Sequence, residues 1–106
     1  MAPNRDRTIA VVDDDPLIVR AYTRLLGTLG WRVVALEDQP TVVLTDWEPL
    51  GPETVRYCQQ HNLPVVAMSG NPSVYDGFQD WLRVLAKPLD PTELVEALNQ
   101  AIEGAH

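Results

Sequence analysis

Several things are scarce in this 106-residue chain, and each scarcity excludes something. There is one cysteine, Cys58, so no internal disulfide forms and nothing points to an oxidising compartment. In its helix-like stretch, Cys58 reads as a small buried hydrophobe. Eight basic residues face fifteen acidic ones, for a net charge of −7. The bases are scattered singly, whereas a phosphate backbone is held by clustered Lys and Arg, so nucleic acid is excluded as a direct partner. No apolar run approaches the roughly 20 residues of a membrane-spanning helix. The polar stretch Met1 to Arg7 has no signal-peptide core behind it. The expected setting is cytoplasmic. A chain this short has no room for a second ordinary domain, so residues 1–106 are expected to form one unit without an output domain, with residues 1–6 as a flexible start.

Hydrophobic residues make up 45% of the chain, enough for a core and too many for disorder. Nine prolines imply short, sharply bounded elements. Thr8 to Val12 is a β-branched apolar run without alternation, the pattern of a strand buried on both faces, and it runs into Asp13-Asp14-Asp15-Pro16. Ile18, Ala21, Tyr22, Leu25, Leu26 and Leu29 then recur at helical spacing. Asp15 reads as the N-cap, Pro16 as the first helical residue, and Gly27 and Gly30 bracket the end.

Trp31 to Leu36 and Thr41 to Thr45 are the second and third strand candidates, the third ending at Asp46. A short helix from Gly51 to about His61 turns Val55 and either Cys58 or Tyr57 inward. Pro64 to Met68 forms a fourth strand closed by Ser69-Gly70, and Leu82 to Ala86 a fifth, followed by Lys87-Pro88. Between them, Pro72 and Gly77 limit any helix to about two turns. The last helix starts at Asp90-Pro91-Thr92-Glu93, a cap followed three residues on by glutamate, with the stripe Leu94, Ala97, Leu98, Ala101 and Ile102.

Strands alternating with helices predict an α/β fold, a parallel sheet with helices on both faces. Ligand sites in such sheets lie beyond the carboxyl ends of the strands. Here those ends carry Asp13, Asp14, Asp46, Ser69 and Lys87. Carboxylates held close repel unless a cation sits among them, and a hard divalent ion such as Mg²⁺ suits oxygen ligands. Lys87 adds a fixed positive charge and Ser69 a hydroxyl. Proline after Lys87 restricts it to extended backbone and makes the bond a candidate for the cis form. Taken singly, each residue also has a plain reading as a solvated strand end or turn residue, and for Asp15 capping is preferred. Together they form an ordered set on four strands. One carboxylate can act as nucleophile toward a phosphoryl group, and Asp46, alone on a central strand facing the acid pair, is the better candidate.

With these residues in view, the sequence resembles the receiver domains of two-component response regulators, from about Arg7 to Ile102. The motifs are Val11-Val12-Asp13-Asp14-Asp15-Pro16, Val42-Val43-Leu44-Thr45-Asp46, Ala67-Met68-Ser69-Gly70 and Leu85-Ala86-Lys87-Pro88-Leu89-Asp90. The resemblance implies a flavodoxin-like, doubly wound five-stranded sheet of order 2-1-3-4-5. It implies that Asp46 accepts phosphate from a histidine kinase or phosphotransfer protein. It further implies that Asp13 and Asp14, with the Glu48 backbone carbonyl, hold Mg²⁺ beside Asp46, and that Ser69 and Lys87 bind the phosphoryl oxygens. Such a protein is not a dedicated enzyme; it catalyses its own phosphorylation and dephosphorylation and signals through a downstream protein partner.

Three departures stand out. Receivers place an aromatic three residues before the lysine; here that residue is Val84, with Phe78 and Trp81 out of register. Only Glu37 to Thr41 separate the second and third strand candidates, so the second helix is expected to be missing, replaced by an extended link through Pro40. The uncovered face would then be polar, covered otherwise, or a surface for a homodimer or partner. The segment from Ser69 to Lys87 is short, so the fourth helix is expected to be shortened; Pro49 comes one place early, and Glu48 and Asn71 flank the site. Two other readings compete: a receiver-fold binding module that works without phosphate, and a small Mg²⁺-dependent phosphohydrolase. The second lacks a general base beyond the pocket acids, since His61 and His106 lie outside the strand-end set.

Overall fold

A computed structural model describes residues 7–47, 51–70 and 83–104. The strands are β1 (Thr8–Val12), β2 (Arg32–Val33), β3 (Val42–Asp46), β4 (Val65–Ser69) and β5 (Arg83–Ala86), and the helices are α1 (Pro16–Thr28), α2 (Gly51–Gln60) and α3 (Pro91–Glu103). All pairings are parallel, in the order β2-β1-β3-β4-β5, the order expected of the doubly wound sheet.

Residues of β1, β3 and β4 alternate between two apolar layers. On one face Ile9, Val42, Leu44, Val66 and Met68 meet Leu26 of α1 and Leu94, Ala97 and Leu98 of α3. On the other, Ala10, Val43, Val65 and Ala67 meet Trp47 and the α2 residues Val55 and Cys58. Cys58 is therefore the inward residue; Tyr57 is half-buried and stacks on His61 with ring centroids 4.1 Å apart. Burial on both faces explains why these strands read as unbroken apolar runs.

Helix α1 starts where its cap is written. Asp15 is extended, its carboxylate accepts from the Leu17 amide at 2.9 Å, and Pro16 follows at the first position, where a missing N–H goes unused. Its inward stripe includes Ile18, Tyr22, Leu25, Leu26 and Leu29, whereas Ala21 lies on the exposed side. Gly30, at φ 92, makes the left-handed turn that ends the helix. Asp90 caps α3 in the same way, accepting from the Thr92 amide at 3.2 Å.

The largest departure from expectation lies between β2 and β3. The second strand spans two residues rather than Trp31 to Leu36, and no α-helix follows it. The chain instead makes one 3₁₀ turn over Leu36–Asp38 and a left-handed step at Gln39, φ 57, so the link is not wholly extended. Leu36 packs into the α2-side layer and Pro40 is buried. The link itself thus closes part of the face a crossover helix would shield. Among the described residues the only large apolar side chain left exposed is Leu17, so the apolar face on which an association surface was expected is absent there. Thr8 and Thr41 clasp the start of β1 to the residue before β3, their hydroxyls 3.1 Å apart and the Thr41 amide donating to Thr8 Oγ1 at 2.9 Å.

The expected flexibility of residues 1–6 and the shortened fourth helix between Ser69 and Lys87 fall outside the described residues. No helix among the described residues is long and apolar enough to cross a membrane.

Candidate functional site

Sheet register brings the strand-end residues together. Val12 pairs with Thr45, which places Asp13 beside Asp46 at the same edge. Asp46 pairs with Met68, and Ser69 with Ala86, while the Lys87 amide donates to the Ser69 carbonyl at 2.9 Å. A continuous ladder therefore sets Asp13, Asp46, Ser69 and Lys87 along one rim, and Asp14 follows Asp13 on the turn into α1. Lys87 leaves β5 through a cis peptide bond to Pro88.

Lys87 Nζ donates to Asp46 Oδ1 at 2.9 Å and lies 3.6 Å from Asp13 Oδ2. The carboxylates are nearly enclosed, 8% exposed at Asp46 and 2% at Asp13, whereas the lysine side chain is 28% exposed. Partial burial acts to lower the lysine pKa, but the hydrogen bond and charge of Asp46, then the charge of Asp13, outweigh it and hold the ammonium above its ordinary value. Lys87 thus stays charged across the physiological range.

One ammonium does not balance three carboxylates. Asp13, Asp14 and Asp46 each offer an oxygen, and these lie within 4.8 Å of one another. Asp13 is half committed: Oδ1 accepts from the Asp15 amide at 2.9 Å, while Oδ2 is buried with no hydrogen-bond partner. A buried carboxylate oxygen held only by the Lys87 ammonium at 3.6 Å, and grouped with two other carboxylates, belongs to the donor set of a hard divalent cation, with Asp14 exposed on the open side. The residues fit a Mg²⁺ ion. Glu48, whose backbone carbonyl was expected among the ligands, lies outside the described residues, as does Asn71.

Two further residues hold the rim in place and were not legible as doing so. Trp47 follows Asp46, is 6% exposed, and lies in the α2-side layer. Its amide donates to the Met68 carbonyl at 3.0 Å and its carbonyl accepts from the Gly51 amide at 2.8 Å, tying the residue after Asp46 to both β4 and α2. Gly51 is required by close approach, because a Cβ there would stand 2.6 Å from Trp47 Cε3. Glycine four residues after tryptophan was the available signal, but nothing local marks such a contact. Val84, at the position where receivers carry an aromatic, is half-buried against the same layer.

Neither a family model nor a curated protein matches the sequence. Solved structures do. A response regulator receiver protein from Sinorhizobium medicae is 22% identical, with a TM-score of 0.73 over 93% of this chain and 96% of its own. The receiver domain of a sensor histidine kinase from Pseudomonas aeruginosa, solved with a magnesium ion coordinated in its active site cleft, is 23% identical, with a TM-score of 0.75 over 92% and 98%. The receiver domain of the PhyR response regulator from Erythrobacter litoralis is 19% identical, with a TM-score of 0.72 over 92% and 91%. The fold of the chain is that of a receiver domain.

Proposed function

We propose that this chain is a response regulator receiver that takes a phosphoryl group onto Asp46 in a Mg²⁺-dependent reaction and signals by binding another protein. The observation that carries the reading is the single ammonium of Lys87 set between Asp46 and the otherwise unpartnered Asp13 oxygen, with Asp14 in reach. The donor is a histidine kinase or a phosphotransfer protein. An Asp46 carboxylate oxygen attacks phosphorus, forming a P–O bond while the P–N bond to the donor imidazole breaks, and the imidazole regains a proton. Lys87 and Ser69 hold the phosphoryl oxygens as charge shifts between donor and acceptor. Asp13 and Asp14, with the Glu48 carbonyl, would hold Mg²⁺, which when bound offsets the charge on those oxygens. Hydrolysis of the acyl phosphate at the same site resets the protein, so its catalysis is confined to its own modification. The 106 residues act as one cytoplasmic receiver unit.

Incubation with Mg²⁺ and a small phosphodonor, followed by mass spectrometry, tests the reading. A single phosphoryl adduct that disappears in Asp46→Asn is the expected result. Absence of the adduct under conditions that label an ordinary receiver overturns it. Val84 favours a second reading, a receiver-fold binding module whose partner contacts do not depend on phosphate. That reading predicts equal partner affinity for the wild type and Asp46→Asn.

A further inference from the structure

Register sets four side chains in a row across the sheet, one residue in from the rim: Val12 pairs with Thr45, Thr45 with Ala67, and Ala67 with Val84. Residues in register share a face, here the α2 side, where Val12, Ala67 and Val84 all join the apolar layer. Thr45 is the polar member of the row, and it is wholly buried. A hydroxyl taken from water into such a layer is destabilising unless it is hydrogen-bonded. Thr45 donates, at 2.9 Å, to the carbonyl oxygen of the next residue, Asp46. That carbonyl needs a donor for a reason of topology. Backbone groups of successive strand residues point to opposite neighbours, and the Trp47 amide donates to Met68 on β4, so the Asp46 carbonyl points toward β1. On that side the ladder has ended: Val12 with Thr45 is the last β1–β3 pair, and the chain then turns, with the Asp15 amide on Asp13 Oδ1. The start of α2 closes in from another direction, since a Cβ on Gly51 would stand 3.2 Å from the same oxygen. A side-chain hydroxyl thus stands in for a ladder amide directly behind Asp46.

We propose that Thr45 is a positioning residue for Asp46, its hydroxyl fixing the peptide from which the nucleophile's side chain is aimed. The Asp46–Trp47 peptide is held at both ends, its oxygen by the Thr45 hydroxyl and its N–H by the Met68 carbonyl at 3.0 Å. A peptide plane held at both ends does not rock about the line joining its α-carbons. The Asp46 Cα therefore keeps the orientation from which Oδ1 meets Lys87 at 2.9 Å. Threonine suits the task, because branching at Cβ restricts χ1 and keeps the hydroxyl aimed. Valine has the same shape and no donor, so it leaves the carbonyl unpaired in the interior, and the plane tilts toward any other donor in reach. The inference rests on Asp46 being the phosphoacceptor and concerns how that nucleophile is aimed. With phosphoramidate as donor, an Asp46 carboxylate oxygen forms the new P–O bond while the P–N bond breaks, and the nitrogen leaves with the electron pair as ammonia. Thr45 touches none of the reacting atoms. Its loss should lower the maximal rate and leave unchanged the half-saturating donor concentration, which Lys87, Ser69 and the metal set. A misplacement of about an ångström costs up to about 100-fold in rate, and a tilt of one restrained peptide is a fraction of that.

Labelling of the full chain by phosphoramidate and Mg²⁺, followed by mass spectrometry over a range of donor concentrations, reads the rate. Hydrogen exchange at the Trp47 amide reads the peptide geometry without any phosphate. Thr45→Val should lower the maximal rate about tenfold or more with half-saturation within about twofold of wild type, and Thr45→Ser should restore the rate to within about threefold. The Trp47 amide should exchange at least about tenfold faster in Thr45→Val and near the wild-type rate in Thr45→Ser. The Val43 amide, bonded to the Pro64 carbonyl lower on the same ladder, should be unaffected in both. Thr45→Ala is the second variant without a hydroxyl and should repeat both changes, which keeps the test open if valine disturbs the row. An unchanged maximal rate, a loss confined to half-saturation, a serine variant as slow as valine, or unchanged exchange at Trp47 overturns the proposal. A wild type that takes no phosphoryl group refutes the phosphoacceptor reading instead, and the exchange comparison then decides the role of Thr45 by itself.

Discussion

Gly51→Ala is the most demanding test of how the rim is held. The added Cβ would stand 2.6 Å from Trp47 Cε3, 2.9 Å from Cδ2 and 3.2 Å from the Asp46 carbonyl oxygen. Carbon atoms in contact prefer about 3.5–4.0 Å, so the ring or the helix start must move by close to an ångström. The ring atoms belong to a rigid indole packed among Ala10, Val43 and Ala67, and they have no rotamer tip that swings aside. The helix start is pinned by the hydrogen bond from the Gly51 amide to Trp47. Over-packing of this kind costs about 1–3 kcal/mol. Alanine returns at most about 1 kcal/mol through helix propensity and a less flexible unfolded chain. The clash wins, with a net loss of about 1–2 kcal/mol and a melting temperature lower by roughly 5–15 °C at the usual 4–8 °C per kcal/mol for domains of this size.

Urea unfolding followed by circular dichroism reads the loss, and a double-mutant cycle assigns it. Trp47→Leu removes the ring, so in that background Gly51→Ala should be neutral or stabilising by up to about 1 kcal/mol. A wild-type Gly51→Ala variant as stable as its parent would refute the close approach. A loss that persists after Trp47→Leu would move the clash to the Asp46 carbonyl and away from the indole.

Other expectations follow from buried groups. Burial pushes the Cys58 thiol from 9.0 up to about 11, so the folded state keeps its proton while the unfolded state loses it. Stability should be complete below pH 9 and fall by about 2–3 kcal/mol as pH approaches 11, a slope that Cys58→Ala should flatten in denaturant titrations across that range. Native Cys58 should react with iodoacetamide at least about 100-fold more slowly than the unfolded chain, from ionisation alone. Lys87 shifts in the same direction, so its stabilising pairs are complete below its ordinary 10.5 and are lost as pH rises through its higher folded value; in Lys87→Met that alkaline contribution should vanish while stability at pH 7 drops by about 1–2 kcal/mol. Thr41→Val should cost about 1 kcal/mol in the same unfolding assay, because the hydroxyl clasp with Thr8 loses one side.

What could be read from the sequence was whatever a local rule decides. Asp15-Pro16 and Asp90-Pro91 specify helix starts through their own backbone and side-chain chemistry, and both stand where they were placed. Unbroken β-branched runs located β1, β3 and β4 to within a residue, because burial on both faces removes alternation. Once those strands were parallel, their carboxyl ends had to share an edge, so the set Asp13, Asp14, Asp46, Ser69 and Lys87 needed no further information. Trp47 against Gly51 is different in kind. The contact depends on how closely α2 approaches the end of β3, a distance that no pattern in either segment encodes.

The apolar pattern from Trp31 to Leu36 overstates β2, which ends at Val33, and the geometry of the crossover gives the reason. Val42 pairs with Ile9, and Thr8 with Arg32, so a second strand continuing to Leu36 would end level with Val12. From there the chain must come back three residues, about 10 Å, and move two strands sideways, also about 10 Å, while arching over β1. The straight line is already about 14 Å, and five linking residues reach about 20 Å only when fully extended, which leaves little for clearing side chains and reversing direction twice. Ending the strand at Val33 lengthens the link to residues 34–41, and the 3₁₀ turn and the left-handed Gln39 supply the reversals. The pairing given up beyond Val33 is that of an edge strand, which holds the sheet on one side only. The link gained in exchange places Leu36 on the face that a crossover helix would cover. A receiver fold can therefore lose that helix without exposing its core, provided its second strand shortens by the same step.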